Sequence, residues 1–184
     1  MKMFFSFICV ICLGLCIFSC SEIKSYSDIP EINFMQLILE NRKDDLDEIF
    51  KKAVLTFSFI DGEGNIGMRP QDIDDKDGII GRVHYKWYKK ITDNNYEEYQ
   101  FPNKSITNTM EIPYSKVMDK SEAQNKTLKG TIELELNTPE NKSGMDTMYV
   151  EFYILDRKAN KSNDERTPDF SILSPSGTII KPQK

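Results

Sequence analysis

The chain predicts an all-β fold, an antiparallel β-sandwich of about eight short strands, and three observations carry that reading. Four separate stretches alternate apolar and polar residues with a period of two. The sequence Thr92-Asp93-Asn94-Asn95 supplies a turn between two neighbouring alternating stretches. Beyond the N-terminal apolar run, only residues 32–54 could equally be read as a helical stripe, through Phe34, Leu37, Ile38, Ile49 and Phe50.

Taken from the start, residues 3–18 carry no charge and follow a single Lys2. This is the layout of a secretory signal helix. It closes on Ile17-Phe18-Ser19-Cys20-Ser21, which resembles the lipobox of bacterial lipoproteins. The resemblance implies cleavage before Cys20, a diacylglycerol on its thiol and an acyl chain on the new amine. Ile17 then takes the −3 place and Ser19 the −1 place, while Phe18 at −2 is bulkier than the residue usually found there. Two or more acyl chains suffice for stable anchoring, since each buried methylene contributes roughly 0.8 kcal/mol. The alternative, an uncleaved signal anchor, has a run at the short end for spanning about 30 Å of hydrocarbon, with no basic cluster after it.

Loss of residues 1–19 leaves 165 of 184, enough for one domain. All four cysteines (Cys9, Cys12, Cys16 and Cys20) lie in or at the end of the signal, so the remainder has no disulfide and no thiolate site. Removing Lys2 takes the net charge from −5 to −6, with both signs interspersed. Without a basic stripe, nucleic acid is excluded as an expected partner. The expected partners are a membrane, through the lipid, and an envelope protein.

Residues 20–31 read as the lipidated cysteine and a short polar tether ending near Pro30. The domain proper spans 32–173. Its first stretch, 32–39, serves as a strand followed by a charged connection. Leu55, Phe57 and Phe59 then alternate with Thr56 and Ser58, as half-buried strands require. Val83, Tyr85 and Trp87 form a second inward set, which places Lys86 and Tyr88 outside. The 92–95 turn leads to a strand over 96–101, and a further strand is expected at 107–112. Ile132, Leu134 and Leu136 form a third inward set, and Val150, Phe152 and Ile154 a fourth. A last strand is expected at 169–173, and the Pro/Ser/Gly-rich residues 174–184 read as a loose tail.

Two motifs go beyond patterning. Leu-Thr-Phe-Ser-Phe-Ile-Asp-Gly-Glu-Gly-Asn-Ile-Gly at 55–67 resembles the L-T-F-S-F-x-D-G-D-G-D-I-G signature of a family of Bacteroidota lipoproteins with no assigned activity. Tyr-Val-Glu-Phe-Tyr-Ile-Leu-Asp-Arg-Lys-Ala-Asn-Lys-Ser-Asn at 149–163 resembles that family's closing strand and D-R-x-G-N-x-S-N turn, and 128–133 resembles its L-K-G-x-I-x stretch. The closing motif is also similar to the last strand and turn of bacterial Ig-like domains, which implies an Ig-like sandwich. The resemblance implies a lipid-anchored location in the cell envelope and supplies no activity to carry over. Ser21 after Cys20 points to the outer membrane, with the domain facing the periplasm or the cell surface. Glu63 and Asn65 stand where the family has aspartates, and Ala159 where it has glycine. A left-handed backbone at Ala159 would cost about 1–2 kcal/mol.

Three candidate sites follow. Asp61, Glu63 and Asn65 at alternate positions, with Asp72 in the twelfth place, imitate a calcium loop, since calcium takes oxygen ligands at such spacings. Its sixth position is Ile66 rather than glycine, and the same residues also read as a glycine-rich turn with solvated acids beyond. Tyr88, Tyr96 and Tyr99 crowd one hairpin and form a candidate platform for a glycan or small ligand, whereas Trp87 has core parity. Asp146-Thr147-Met148 resembles the short acceptor of Bacteroidota O-glycosylation, with Thr147 as the acceptor, and reads equally as residues opening a strand.

His84 is the only histidine, so triads and most zinc sites lack their parts. The expectation is therefore a non-enzymatic binding or accessory module. A ligand-binding module assisted by calcium is the second reading, and a paired-carboxylate hydrolase the third.

Overall fold

The computed structural model describes residues 25–69, 80–103, 108–112, 126–139 and 146–183. The expected signal helix, Cys20 and Asp72 lie outside them. Nine strands run in chain order: β1 (Glu31–Lys43), β2 (Ile49–Asp61), β3 (Arg82–Thr92), β4 (Asn95–Glu98), β5 (Thr109–Glu111), β6 (Leu128–Leu136), β7 (Met148–Leu155), β8 (Glu165–Arg166) and β9 (Thr178–Ile180). Among the described residues there is no helix, and so none long and apolar enough to cross a membrane.

The strands form two antiparallel sheets, one in the order β6-β2-β1-β9 and one in the order β4-β3-β7-β8 with β5 also on β3. Strands one, two and six in one layer and three, seven and eight in the other give the A-B-E and C-F-G division of an immunoglobulin-type sandwich. The alternating sets meet between the layers. Leu55, Phe57, Phe59, Val83, Tyr85, Trp87, Ile132, Leu134, Leu136, Val150, Phe152 and Ile154 are all buried.

Antibody domains tie their B and F strands with a disulfide. This domain places Phe57 and Phe152 there, with ring centroids 5.2 Å apart. Trp87, on the C-type strand, packs edge-on against Phe170 at 5.9 Å. Aromatic pairs of this kind contribute about 0.5–1.5 kcal/mol beyond their buried area. Ring packing between the layers takes the position of the covalent tie.

The ambiguity over 32–54 resolves as a long hairpin in which Glu31 pairs with Ile60 and Lys43 with Ile49. The mixed apolar spacing has a local cause. An irregularity between Phe34 and Gln36 inserts one extra residue, so Ile32 and Phe34 face inward before it and Leu37 and Leu39 after it. The expected charged connection shrinks to 44–48, because its flanks carry the two strands onward.

The C-terminal end departs from expectation. The stretch expected to be loose, 174–184, contributes β9, whose Thr178 and Ile180 pair with Leu39 and Leu37. The strand expected at 169–173 is a single bridge, Phe170 to Met148, with both N–H groups donating across at 2.8 Å. The two-residue β8 stands beside β7 in its place. Short edge strands are hard to read from periodicity, since two or three residues carry no repeat.

The tether is also less free than its composition implied. Gly62 N–H donates to Ser27 O at 2.9 Å, and a Cβ on Gly62 would lie 2.4 Å from that oxygen. Lys129 Nζ bonds Tyr26 Oη and sits 3.7 Å from the centroid of its ring. Residues 26–27 are therefore docked against the sandwich end where β2 finishes and β6 starts.

Candidate functional site

The two sequence motifs, far apart in the chain, meet at that same end. β2 delivers Asp61 and β7 delivers Asp156, and each carboxylate is fully buried. Asp61 Oδ1 accepts the N–H of Glu63 at 3.0 Å and Oδ2 that of Asn65 at 2.8 Å. Asp156 Oδ1 accepts from the N–H groups of Lys158 and Asn160, both at 2.8 Å, and Oδ2 from Asn160 Nδ2 at 2.8 Å. Each aspartate thus folds its own following loop, because its oxygens satisfy N–H groups that burial would otherwise strand.

The loops are then joined. Arg157 N–H donates to Asn65 O at 3.3 Å, and its guanidinium donates to Ile66 O at 3.4 Å and Gly67 O at 3.2 Å. Lys158 pairs with Glu63, whose other oxygen accepts from Asn65 Nδ2. Burial pushes the Asp61 carboxyl up from its ordinary value, the loop N–H groups pull it down, and the nearby Asp156 carboxylate adds to the rise.

The structure therefore brings Asp61, Glu63 and Asn65 together as expected, with the side-chain oxygens of Asp61 and Glu63 directed at N–H groups and a lysine. Among the described residues no group of three or more His, Cys, Asp or Glu is arranged to hold a metal. Ala159 does occupy the left-handed region, at φ 62°, so the turn keeps its shape in spite of the alanine.

The closing motif has one more task. The side chain of Asn163 accepts from Ile32 N–H at 2.8 Å and donates to Ile32 O at 2.9 Å, as a neighbouring strand would. Glu165 accepts from Phe34 N–H at 3.2 Å. Together they cover the stretch of β1 that lies beyond β9. Ser162 Oγ accepts from Ile154 N–H and donates to Asn163 O, holding Asn163 in place.

The aromatic candidates separate. Tyr88 and Tyr96 lie on the outer face of the second sheet. Tyr99 does not: it is buried, edge-on to Phe101 at 5.1 Å, and its N–H donates to Trp87 O. Tyr96 and Glu98 pair with Lys90 and Tyr88 and share their outer face, so Tyr99, an odd number of residues from Tyr96, faces inward by simple alternation.

In its place the outer face holds Tyr149, directly opposite Tyr88 and stacked on it at 4.8 Å, with Tyr96 edge-on at 4.9 Å. Arg166 lies 3.8 Å from the Tyr149 centroid. Farther along, His84 stacks on Tyr153 at 4.9 Å. Burial raises the phenols of both Tyr88 and Tyr149.

Arg166 also donates to Asp169 Oδ1 at 2.7 Å, and Tyr96 Oη bonds the other oxygen of Asp169. Beyond this pair opens a groove of about 570 Å³ lined by Phe34, Glu165, Arg166, Thr167, Pro168, Asp169, Pro182 and Gln183. The sequence reading missed it, because its walls come from the short β8, the start of β1 and the supposed tail. Thr147 is half-buried just before β7, and its carbonyl accepts from Lys90 N–H at 2.9 Å.

Compared with known proteins, the chain matches no family model, no curated protein and no solved structure. The fold class therefore rests on the strand order and core described above.

Proposed function

We propose that this is a lipid-anchored cell-envelope protein of a Gram-negative bacterium, held at the outer membrane, whose sandwich is a non-catalytic binding or accessory module. Membership of the Bacteroidota lipoprotein family is part of that reading. The observation that carries it is the charge-free run 3–18 closed by Ile17-Phe18-Ser19-Cys20, with no cysteine beyond it. Ser21 after the cysteine lacks the aspartate that retains enterobacterial lipoproteins in the inner membrane, which favours the outer one.

The docked tether supports a domain held close to the bilayer. Six residue steps separate Cys20 from the docked Tyr26, a reach of about 20 Å when fully extended. The motif end of the sandwich then faces the anchoring membrane and the 44–48 turn faces away. A partner or ligand meets the side and far end of the domain.

The test is metabolic labelling of cells with a fatty-acid analogue, followed by fractionation. The native chain takes the label and partitions with the outer membrane, and Cys20→Ala abolishes both. Label retained by Cys20→Ala, or none on the native chain, refutes the anchor. Cross-linking in intact cells identifies the envelope partner, and a chain that captures none speaks against the accessory role.

A further inference from the structure

We infer that the groove between β1, β8 and the C-terminal segment is a binding site for a neutral, hydroxyl-rich ligand, of the chemical class of an uncharged oligosaccharide. This rests on the binding-module reading and gives that module its site and ligand class. The volume, about 570 Å³, falls within the usual range for small-ligand clefts.

The polar groups lining the groove are fixed from behind. Arg166 is held by the Tyr149 ring and by Asp169. Asp169 is held in turn by Tyr96 Oη. Glu165 is fixed by Phe34 N–H and by Asn163 Nδ2 at 3.2 Å. Held in this way, they lose little side-chain freedom when a ligand arrives, which removes one of the costs of recognition by long polar side chains.

The ligand class follows from what those groups still offer. A carboxylate oxygen with one N–H or O–H partner keeps a lone pair for another, and Arg166 carries five N–H donors, of which Asp169 takes one and the Thr167 carbonyl another. Gln183 adds an amide that both donates and accepts. A hydroxyl does the same, so a chain of hydroxyls can pair with alternating donors and acceptors.

A polyanion would meet two carboxylates against one guanidinium already neutralised by Asp169. An apolar ligand would strip water from the same groups without replacing their bonds. Phe34, Pro168 and Pro182 supply apolar wall for the C–H faces of a sugar ring. The expected Tyr88–Tyr96 platform becomes the backing of the site rather than its floor, because the Tyr149 face that would stack a sugar is covered by Arg166.

The test uses the full-length chain in detergent, screened against immobilised neutral and anionic oligosaccharides, with titration calorimetry on the best hit. The expected result is a neutral oligosaccharide whose affinity falls at least tenfold, or 1.4 kcal/mol, on Arg166→Ala and on Asp169→Asn. Because both residues also brace Tyr149 and Tyr96, Gln183→Ala on the exposed rim provides a second variant, expected to weaken binding severalfold with unfolding unchanged. No neutral ligand, binding confined to anionic sugars, or affinity indifferent to all three variants overturns the assignment. Cys20→Ala, expected to lose the lipid and keep the sugar affinity, separates a failure here from a failure of the anchor.

Discussion

The motif end of the sandwich and the outer face of its second sheet use polar side chains in opposite ways. At the motif end, Asp61, Asp156, Ser162 and Asn163 turn onto backbone groups of their own or adjoining segments, and the Asn160 amide donates to the Asp156 carboxylate. On the outer face, Lys86 pairs with Glu98 while Tyr88 and Arg166 pack on Tyr149, and these groups keep capacity for bonds beyond themselves. The region richest in recognisable motif is thus the one already consumed by folding. Polar residues at fixed spacing signal a constrained backbone at least as readily as they signal a ligand.

The sharpest way to break this contrast is to empty a motif carboxylate. Asp156→Ala strands two partly buried main-chain N–H groups and an amide, and is expected to cost on the order of 3 kcal/mol in urea unfolding. Asp61→Ala is expected to cost on the order of 2 kcal/mol, less because the ionised carboxyl is itself disfavoured by burial there. Asn163→Ala, which uncovers the edge of β1 at Ile32, should cost about 1–2 kcal/mol. A half-buried counterpart on the outer face, Tyr88→Ala, should cost roughly 1 kcal/mol or less, the scale of one cross-strand pair. If Tyr88→Ala proves costlier than Asp156→Ala, the contrast is wrong.

Two subtler changes sharpen it. Ala159→Gly relieves an alanine at φ 62° and is expected to stabilise the domain by about 1 kcal/mol, read as a rise in the urea midpoint. The second change concerns pH. Asp61 titrates higher in the folded chain than its ordinary 3.8, so between those values the folded state binds more protons than the unfolded one. Its contribution to stability is therefore full below 3.8 and declines as pH rises through the raised value. The stability of the native chain minus that of Asp61→Asn should fall over that window and be flat above it. A difference that rises with pH would mean that the loop N–H groups outweigh burial.

Sequence reading reached the core more surely than the sites, for physical reasons. The four alternating sets place twelve side chains correctly, because burial on one face of a strand imposes a period of two whatever the neighbours are. The bulge at Phe34/Gln36 breaks that period, and there helix and strand became indistinguishable. The outward parity of Tyr149 was legible beside inward Val150. Its stacking on Tyr88 was not, because it depends on the register between β3 and β7, set by residues far apart in the chain.

Tyr99 misled for a simpler reason: it lies three residues from Tyr96, and on one extended strand residues an odd number apart face opposite sides. The groove needed three segments at once. One of them, 178–183, has no periodic signal and is held by its pairing with Leu37 and Leu39.

The central claim is that the oxygens of Asp61 and Asp156 are committed to the chain itself. Urea unfolding of the full-length chain in millimolar calcium and in chelator tests this directly. Equal midpoints and slopes are the predicted result, with Asp61→Ala losing the same free energy in both. A midpoint that climbs with calcium concentration would contradict it, since a ligand a hundredfold above its Kd adds about 2.7 kcal/mol to folding. The motif loops would then be a cation site, and their inward hydrogen bonds a feature of the empty state alone.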